Sequence, residues 1–423
     1  MIYLYYVISF LLLPAYCILL ILRIISRKED PYRVGERFAA REKYTKTNER
    51  LVWLHAASIG ESMIALTLIE NLNTIFADKT PAIRFLVTST SLSSARILQQ
   101  KLPQNAIHQF IPIDNIIFVK KFFRNWQPDL GIFIESELWP CFIYEGKKHC
   151  KLLLLNARIS DKSFKRWQGF AKFFRLITNS FSEIITQSTT DFAKYSQLGV
   201  TNIQNFGNIK FANKKLPVDK QELAILSEYL ANKKVIVFAS THLEDENVIL
   251  GIIKPIKQRY PNCYFILIPR HPERREEIKK ACLQLNLTYS IRSEQNKPAL
   301  TDDLYIVDKF GELGLFFSLA YISFVGGSFG QGGHNVLEPA FFSNCIIFGP
   351  DMSNIADIAH EMLNNKAAVQ IKNEKELLTK IEYFLSAKGE EESKLCRTNS
   401  LAFVQKNTQI LHHYLAVIKK YLI

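Results

Sequence analysis

The first 22 residues, MIYLYYVISFLLLPAYCILLIL, contain no charged side chain. About 20 such residues suffice to cross a bilayer, so the segment predicts a hydrophobic membrane helix. Beyond it, short apolar runs alternate with amphipathic stretches. LVWLH (51–55), RFLVTST (84–90), DLGIFIE (129–135), KLLLLNA (151–157) and SEIITQS (182–188) have the length and continuity of parallel strands buried on both faces. SMIALTLIENLN and SLSSARILQQKL, lying between them, repeat apolar residues at helical spacing. The polar stretch ANKKLPVDKQ (212–221) breaks the rhythm and reads as a linker. The alternation then resumes with VIVFAS (235–240), CYFILIP (263–269), DLYIVD (303–308), YISFVGG (321–327) and CIIFG (345–349). Two such series predict an α/β chain of two doubly wound, Rossmann-like domains facing a central cleft, with ligands beyond the carboxyl ends of the strands.

Length and composition narrow the picture. A chain of 423 residues exceeds one ordinary core. Its net charge of +13 suggests an anionic partner: nucleic acid, anionic lipid or a phosphorylated substrate. A nucleic-acid role lacks any recognised motif or dense basic and aromatic stripe. The seven cysteines form no CxxC pair, which fits a reducing compartment and argues against a disulfide framework or zinc site. The nine histidines show no HxxxH or HExxH spacing, so no protein-bound metal is expected. Arg23, Arg27, Lys28, Arg33 and Arg37 follow the apolar segment; by the positive-inside tendency, the rest of the chain faces the cytoplasm. A cleavable signal peptide fits less well, because no positive residue precedes the apolar run and no small-x-small site ends it. The segment either spans a membrane or docks on one.

The polar residues that follow the strands carry the candidate chemistry. LVWLH leads into AASIGES, where Gly60 permits close backbone approach and Glu61 stands near a helix start. Glu61 there either complements the helix dipole or faces the cleft. Glu135 and Glu137 sit at the end of DLGIFIE, where a carboxylate is solvated, paired or functional. Lys210 closes TNIQNFGNIKF as a surface charge or a cleft residue. Pro269, Arg270 and His271 follow CYFILI; an Arg fork with a neighbouring His suits a phosphate, and a solvated turn is the other reading. In DKFGEL, Phe310, Gly311 and Glu312 open an apolar helical run whose N–H groups suit an anion. GGSFGQGGHNVLEPA (326–340) holds five glycines, then Asn335, Val336, Leu337 and Glu338 at an expected helix start. Glu338 lies three residues after Asn335, on a similar face, and is placed to accept ribose hydroxyls beside an anion site. This is a nucleotide site without a Walker lysine or GxGxxG spacing.

HAASIGE, ESELWP, NARIS, GNIKF, STHLEDE, PRHPER, FGEL and GGSFGQGGHNVLEP occur in this order over nearly the whole chain. Together they resemble the 3-deoxy-D-manno-octulosonic acid (Kdo) transferases of lipopolysaccharide assembly. The resemblance implies a GT-B glycosyltransferase: a membrane anchor helix (1–25), an acceptor-binding domain (26–211), a linker (212–222), and a CMP-sugar-binding domain ending in helices (223–423). It implies CMP-Kdo as donor, a lipid A precursor (lipid IVA) as acceptor, no cofactor, and catalytic domains on the cytoplasmic side of the inner membrane, beside anionic lipids. Glu61 would be the general base of an inverting transfer, with Glu135 and Lys210 stabilising the transition state. Pro269, Arg270, Phe310 to Glu312 and Asn335 to Glu338 would contact CMP. Lys309 and Val336 stand where the family often has Thr and Pro.

Two other functions compete. A membrane-associated GT-B transferase using a UDP-sugar would share glycine clusters with a downstream Glu, but not the pairing of ESELWP with GGHNxLE. A non-catalytic nucleotide-binding membrane protein would lose no function on Glu61→Ala.

Overall fold

The computed structural model describes residues 1–40, 44–77, 79–211 and 215–423. The chain forms two compact units, Met1–Ile209 with Ile410–Ile423, and Lys210–Gln409. Residues 410–423, placed by the sequence reading with the second domain, therefore pack with the first. Tyr414 explains this, since its ring is buried and its hydroxyl donates to the Gly207 carbonyl at 3.0 Å. Residues 212–214 of the expected linker lie outside the described residues; 215–219 are coil, and Asp219 caps a helix over Lys220–Tyr229.

The first unit holds β1 (Glu49–His55), β2 (Ala82–Ser89), β3 (Ala106–Phe110), β4 (Leu130–Ile134), β5 (Lys151–Ala157), β6 (Glu183–Thr186) and β7 (Ile203–Asn205). They form one parallel sheet in the order β3-β2-β1-β4-β5-β6-β7. Trp53 anchors one face, with Phe122, Phe123, Phe133 and Phe142 at 5.0–5.6 Å between ring centroids and its indole N–H on Thr88 Oγ1. The helix Ile59–Phe76 buries Ile64, Ala65, Leu68, Ile69 and Leu72, a helical stripe packed against strands β2 and β4.

The second unit holds β8 (Lys234–Thr241), β9 (Cys263–Pro269), β10 (Tyr289–Ile291), β11 (Leu304–Ile306), β12 (Ala320–Val325), β13 (Cys345–Phe348) and β14 (Val369–Gln370). Its parallel sheet runs β10-β11-β9-β8-β12-β13-β14. Alternate residues of each strand enter opposite cores. Ile236, Phe238, Phe265 and Phe324 join the helices Leu243–Arg259 and Glu374–Leu385. Val235, Val237, Tyr264 and Ile266 join the helices Lys220–Tyr229 and Leu313–Leu319. Both faces are covered, which is why the strands read as continuous apolar runs.

The single N-terminal helix expected from the sequence is instead a pair, Ile2–Leu11 and Leu13–Ile25, bent by 52°. Pro14 supplies the reason: its ring displaces the preceding turn and it has no N–H to continue the ladder, so it sits in the first turn of a new helix. No single described helix is long and apolar enough to cross a membrane; the bent pair meets that test by length and composition. Ile2 is buried in the first unit's core, and the Tyr5 hydroxyl donates to Asp114 Oδ2 at 2.9 Å. Leu4, Val7, Leu11, Ile18, Leu22 and Ile25 are exposed.

Candidate active site

In each sheet, the second strand in sequence lies on one side of the first, and a later strand lies on the other. The strand order reverses between β1 and β4 in the first sheet and between β8 and β12 in the second. Such reversals leave a crevice beyond the carboxyl ends, where ligands of open α/β sheets bind. Of the residues singled out by the sequence, Glu61 follows β1, Glu135 and Glu137 follow β4, and Asn335 to Glu338 follow β12; Arg270 follows β9, beside β8, while Lys210 and Phe310 to Glu312 follow β7 and β11.

Glu61 follows β1, at the third position of the helix Ile59–Phe76. It accepts from the Ala57 N–H at 2.7 Å and from the Ser58 hydroxyl at 2.8 Å, while Ser58 Oγ accepts from the Glu61 N–H. The capping reading of Glu61 is therefore correct. It does not exhaust the residue. Burial, then the charge of Glu137, push its carboxyl up to about 7, against the bonds from Ser58 and Ala57 and with a smaller push from Glu135. Burial acts on Glu137 too, but His55 and Trp139 outweigh it and hold that carboxyl below the ordinary range. The Trp139 indole donates to Glu137 at 2.6 Å, and His55 Nε2 stands 3.5 Å away. Two carboxyl groups with ionisation driven apart by their surroundings are the arrangement that acid–base chemistry uses.

Glu135 follows β4 with φ of 62°, a left-handed conformation uncommon outside glycine. Its neighbour across the sheet is Asn156, also left-handed at φ 57° and fully buried. Asn156 Nδ2 reaches Glu135 Oε1 (3.4 Å) and Gln187 Oε1 (3.3 Å), and its Oδ1 accepts from the Ile209 N–H (3.0 Å). Asn156 was legible only as a letter in NARIS; its role as a clamp arises from the sheet. Lys210 begins the second unit, in a 3-10 turn, with Nζ 3.7 Å from Asp357 Oδ2.

At the second crevice, β9 ends at Pro269, and the Arg270 N–H continues the ladder onto the Thr241 carbonyl. Among the described residues the Arg270 side chain makes no hydrogen bond or salt bridge. Gly326 lies so close to β8 that a Cβ there would meet the Ser240 carbonyl oxygen at 2.6 Å. That contact explains one glycine of the cluster; Gly327 explains another, with φ of 69° and the His334 ring where a side chain would be. Asn335 Oδ1 accepts from the Leu337 N–H and its Nδ2 donates to Glu338 Oε1 at 3.2 Å. Burial pushes the Glu338 carboxyl up, opposed by Asn335 and Arg270.

The helix expected to start near Asn335 is one turn, Leu337–Ala340, and the chain leaves it as Ser343 turns left-handed. Asn335 takes its first N–H, so the site rests on side chains and loop more than on a helix end. Phe310 is exposed, and Gly311 has φ of 85°. Glu312 precedes the short helix Leu313–Leu319, and its carboxylate is held by Arg292 at 2.9–3.0 Å. It does not join the Arg270–Glu338 group as a charge. Among the described residues no group of three or more His, Cys, Asp or Glu is placed to hold a metal ion.

Residues 32–213 match the profile of a family described as 3-deoxy-D-manno-octulosonic-acid transferase (kdotransferase). The chain is similar to the 3-deoxy-D-manno-octulosonic acid transferase of Rickettsia bellii, at 57% identity over 99% of both chains. A probable mitochondrial 3-deoxy-D-manno-octulosonic acid transferase of Arabidopsis thaliana is 32% identical over 79% of this chain and 77% of that one. Among solved structures, the C-terminal CMP-Kdo binding domain of WaaA from Acinetobacter baumannii is similar at 30% identity. It covers 44% of this chain and 97% of its own, with a TM-score of 0.41. Near-complete coverage at such identity decides the matter: the chain belongs to the Kdo transferase family and is a glycosyltransferase.

Proposed function

We propose that this enzyme transfers Kdo from CMP-Kdo to the lipid A precursor lipid IVA, with inversion, at the cytoplasmic face of the inner membrane. Glu61 is the general base: it takes the proton of the acceptor sugar hydroxyl as that oxygen attacks the anomeric carbon. The observation that carries this reading is a buried carboxyl at a sheet switch point, raised to about 7 beside a second carboxyl that stays ionised. A base near the working pH contributes roughly 10²–10⁴ in rate. Glu135 lies on the same crevice and stabilises the oxocarbenium-like charge at the anomeric carbon. Lys210 offsets charge on the departing phosphate.

Pro269, Arg270, Gly311, Glu312 and Asn335 to Glu338 bind the cytidylate. Arg270 supplies a phosphate fork, Glu338 takes ribose hydroxyls, and the exposed Phe310 ring offers a face to the base. The protein supplies no cofactor; CMP-Kdo is a substrate. The exposed apolar row of the N-terminal helix pair and the basic cluster after it support docking on an anionic lipid surface.

A transfer assay tests the proposal. The full-length enzyme receives freshly prepared CMP-Kdo and lipid IVA, and acceptor mass is followed, with Glu61→Gln in parallel. Mass gain with wild type and none with the variant, while both bind CMP, is expected; the number of increments counts the Kdo units. No gain from folded wild type, or turnover by Glu61→Gln, would sink the donor–acceptor pair or the base respectively.

A further inference from the structure

His242 and His334 lie 92 residues apart, yet their Nε2 atoms stand 2.8 Å from one another. The rings are nearly parallel, at 15°, with centroids 5.1 Å apart. His242 is the first residue after β8, and His334 ends the glycine loop after β12. The pair therefore occupies the switch point of the second sheet, beside Arg270, which follows β9. A 2.8 Å contact between two ring nitrogens needs one hydrogen between them, so one ring donates and the other accepts.

The surroundings decide which ring donates. The His242 N–H donates to Asp245 Oδ2, and in the capping-box arrangement at the start of the helix Leu243–Arg259 the His242 ring is placed as the acceptor facing the Asp245 N–H. Nε2 is engaged by His334, so that acceptor is Nδ1. A ring whose Nδ1 accepts carries its hydrogen on Nε2, and His242 donates to His334. His334 Nε2 then accepts, and its own hydrogen must sit on Nδ1, for which no partner occurs among the described residues. Asp245 Oδ2 fixes both loops at once, accepting from His242 N at 2.9 Å and Gly327 N at 2.7 Å. Gly327 leaves room for the His334 ring; a Cβ there would stand 2.7 Å from its Cδ2.

We infer that His334 is a phosphate-binding residue of the donor site, presenting a neutral Nδ1–H to the phosphate of CMP, and that His242 is the positioning residue that fixes its tautomer. This rests on the donor reading above. The charged groups around the pair are Asp245, Glu244, His271 and Arg274 near His242, and Arg270 and His271 near His334, with Glu338 facing Arg270. Burial first, then His242, Arg270 and His271, hold His334 down at about 4. A ring so depressed stays neutral and keeps one defined hydrogen, the condition for a directed donor. During transfer the N–H remains on His334; the electron pair of the broken sugar–oxygen bond stays on the phosphate that this N–H already contacts.

The test uses the full chain, CMP and cytidine. His334→Gln removes the outward donor while an amide remains near Nε2; His334→Asn restores an amide near Nδ1. Binding of CMP to His334→Gln should weaken roughly 10- to 100-fold, the scale of a hydrogen bond to a charged group. His334→Asn should recover part of that loss, and neither change should alter cytidine affinity. His242→Asn keeps a helix cap but removes the ring partner. In ¹⁵N spectra of histidine-labelled protein, His334 should then populate both tautomers, against Nδ1–H alone in wild type.

Unchanged CMP affinity in His334→Gln, or equal losses for CMP and cytidine, overturns the inference. If the variants do not fold, wild type decides: His334 carrying its hydrogen on Nε2, or on both nitrogens with CMP bound at neutral pH, overturns it. Wild type that binds no CMP at all overturns the donor reading itself, and this inference with it.

Discussion

Glu61 is held in a conflict that the fold maintains. Its two accepted hydrogen bonds favour the charged form, while burial and Glu137 oppose it more strongly. In the proposed role of base it works only when ionised, so kcat/KM should rise with pH through about 7 and then level. A pH–rate profile flat from 6 to 8 would contradict this. The stability consequence has the opposite sign. The folded value lies above the ordinary 4.5, so the contribution to stability is present below 4.5 and is lost as pH rises through about 7. Glu61→Gln should therefore be more stable than wild type at pH 8, by about 1–3 kcal/mol in denaturant titrations, and equal to it near pH 4. Asn156 poses a related case. Asn156→Gly keeps the left-handed backbone and removes the clamp on Glu135, Gln187 and Ile209. A fall in kcat of roughly 10- to 100-fold is expected from the misplaced carboxylate, with CMP affinity unchanged. Loss of CMP affinity instead would mean that the clamp serves the fold of the nucleotide region.

At the scale of elements, short connections decide where the chemistry lies. The glycine loop after β12 approaches β8 so closely that Gly326 has no room for a Cβ, and at Gly327 the His334 ring takes that space. Gly327→Ala should lower CMP affinity and cost about 1–3 kcal/mol, because the added methyl meets the His334 ring at a left-handed backbone position. Equal stability and binding in that variant would show that the loop yields freely. The N-terminal helices show a different control. Their composition predicts a continuous membrane segment, but Pro14 divides it, and Tyr5 ties the first helix to Asp114. Asp114 also accepts from the Cys141 and Phe142 N–H groups, at the start of the helix Pro140–Gly146. Tyr5→Phe should lower stability by about 1 kcal/mol while leaving CMP binding intact, measurable as a shift in the denaturation midpoint. A shift indistinguishable from zero would make that helix a loosely held attachment.

For the molecule as a whole, both units use the same device: a seven-stranded parallel sheet whose order reverses once. The carboxylates Glu61 and Glu135 gather at the first reversal, and the imidazole pair with Arg270 and Asn335 gathers at the second. The units are not consecutive halves of the chain. Residues 410–423 complete the first, through Tyr414 on Gly207 and through Lys420 and Tyr421 on Glu183. A fragment of residues 1–209 should thus be less stable than one to which 410–423 is restored by fusion. Equal thermal melting of the two fragments would show that these contacts are dispensable.

The sequence by itself determined the elements that are buried on both faces. KLLLLNA and CYFILIP read as strands because both their faces need cover, and β5 and β9 occupy those residues. AIHQF, with buried His108 and Gln109, went unread as β3, and the short edge strands β7, β10 and β14 went unread as well. Edge strands bury less apolar surface, so their composition is free to look like loop. The positions of Glu61, Glu135, Arg270 and Glu338 after strands were equally legible, since a polar residue ending an apolar run must be placed somewhere. Their ionisation was not. It follows from burial and from neighbours brought across the sheet, such as Glu137 on Glu61. Only the tertiary structure set His242 against His334, bound Glu312 to Arg292 and made Asn156 a clamp. Local pattern specifies which residues lie near strand ends; the order of strands in the sheet specifies which of those residues meet.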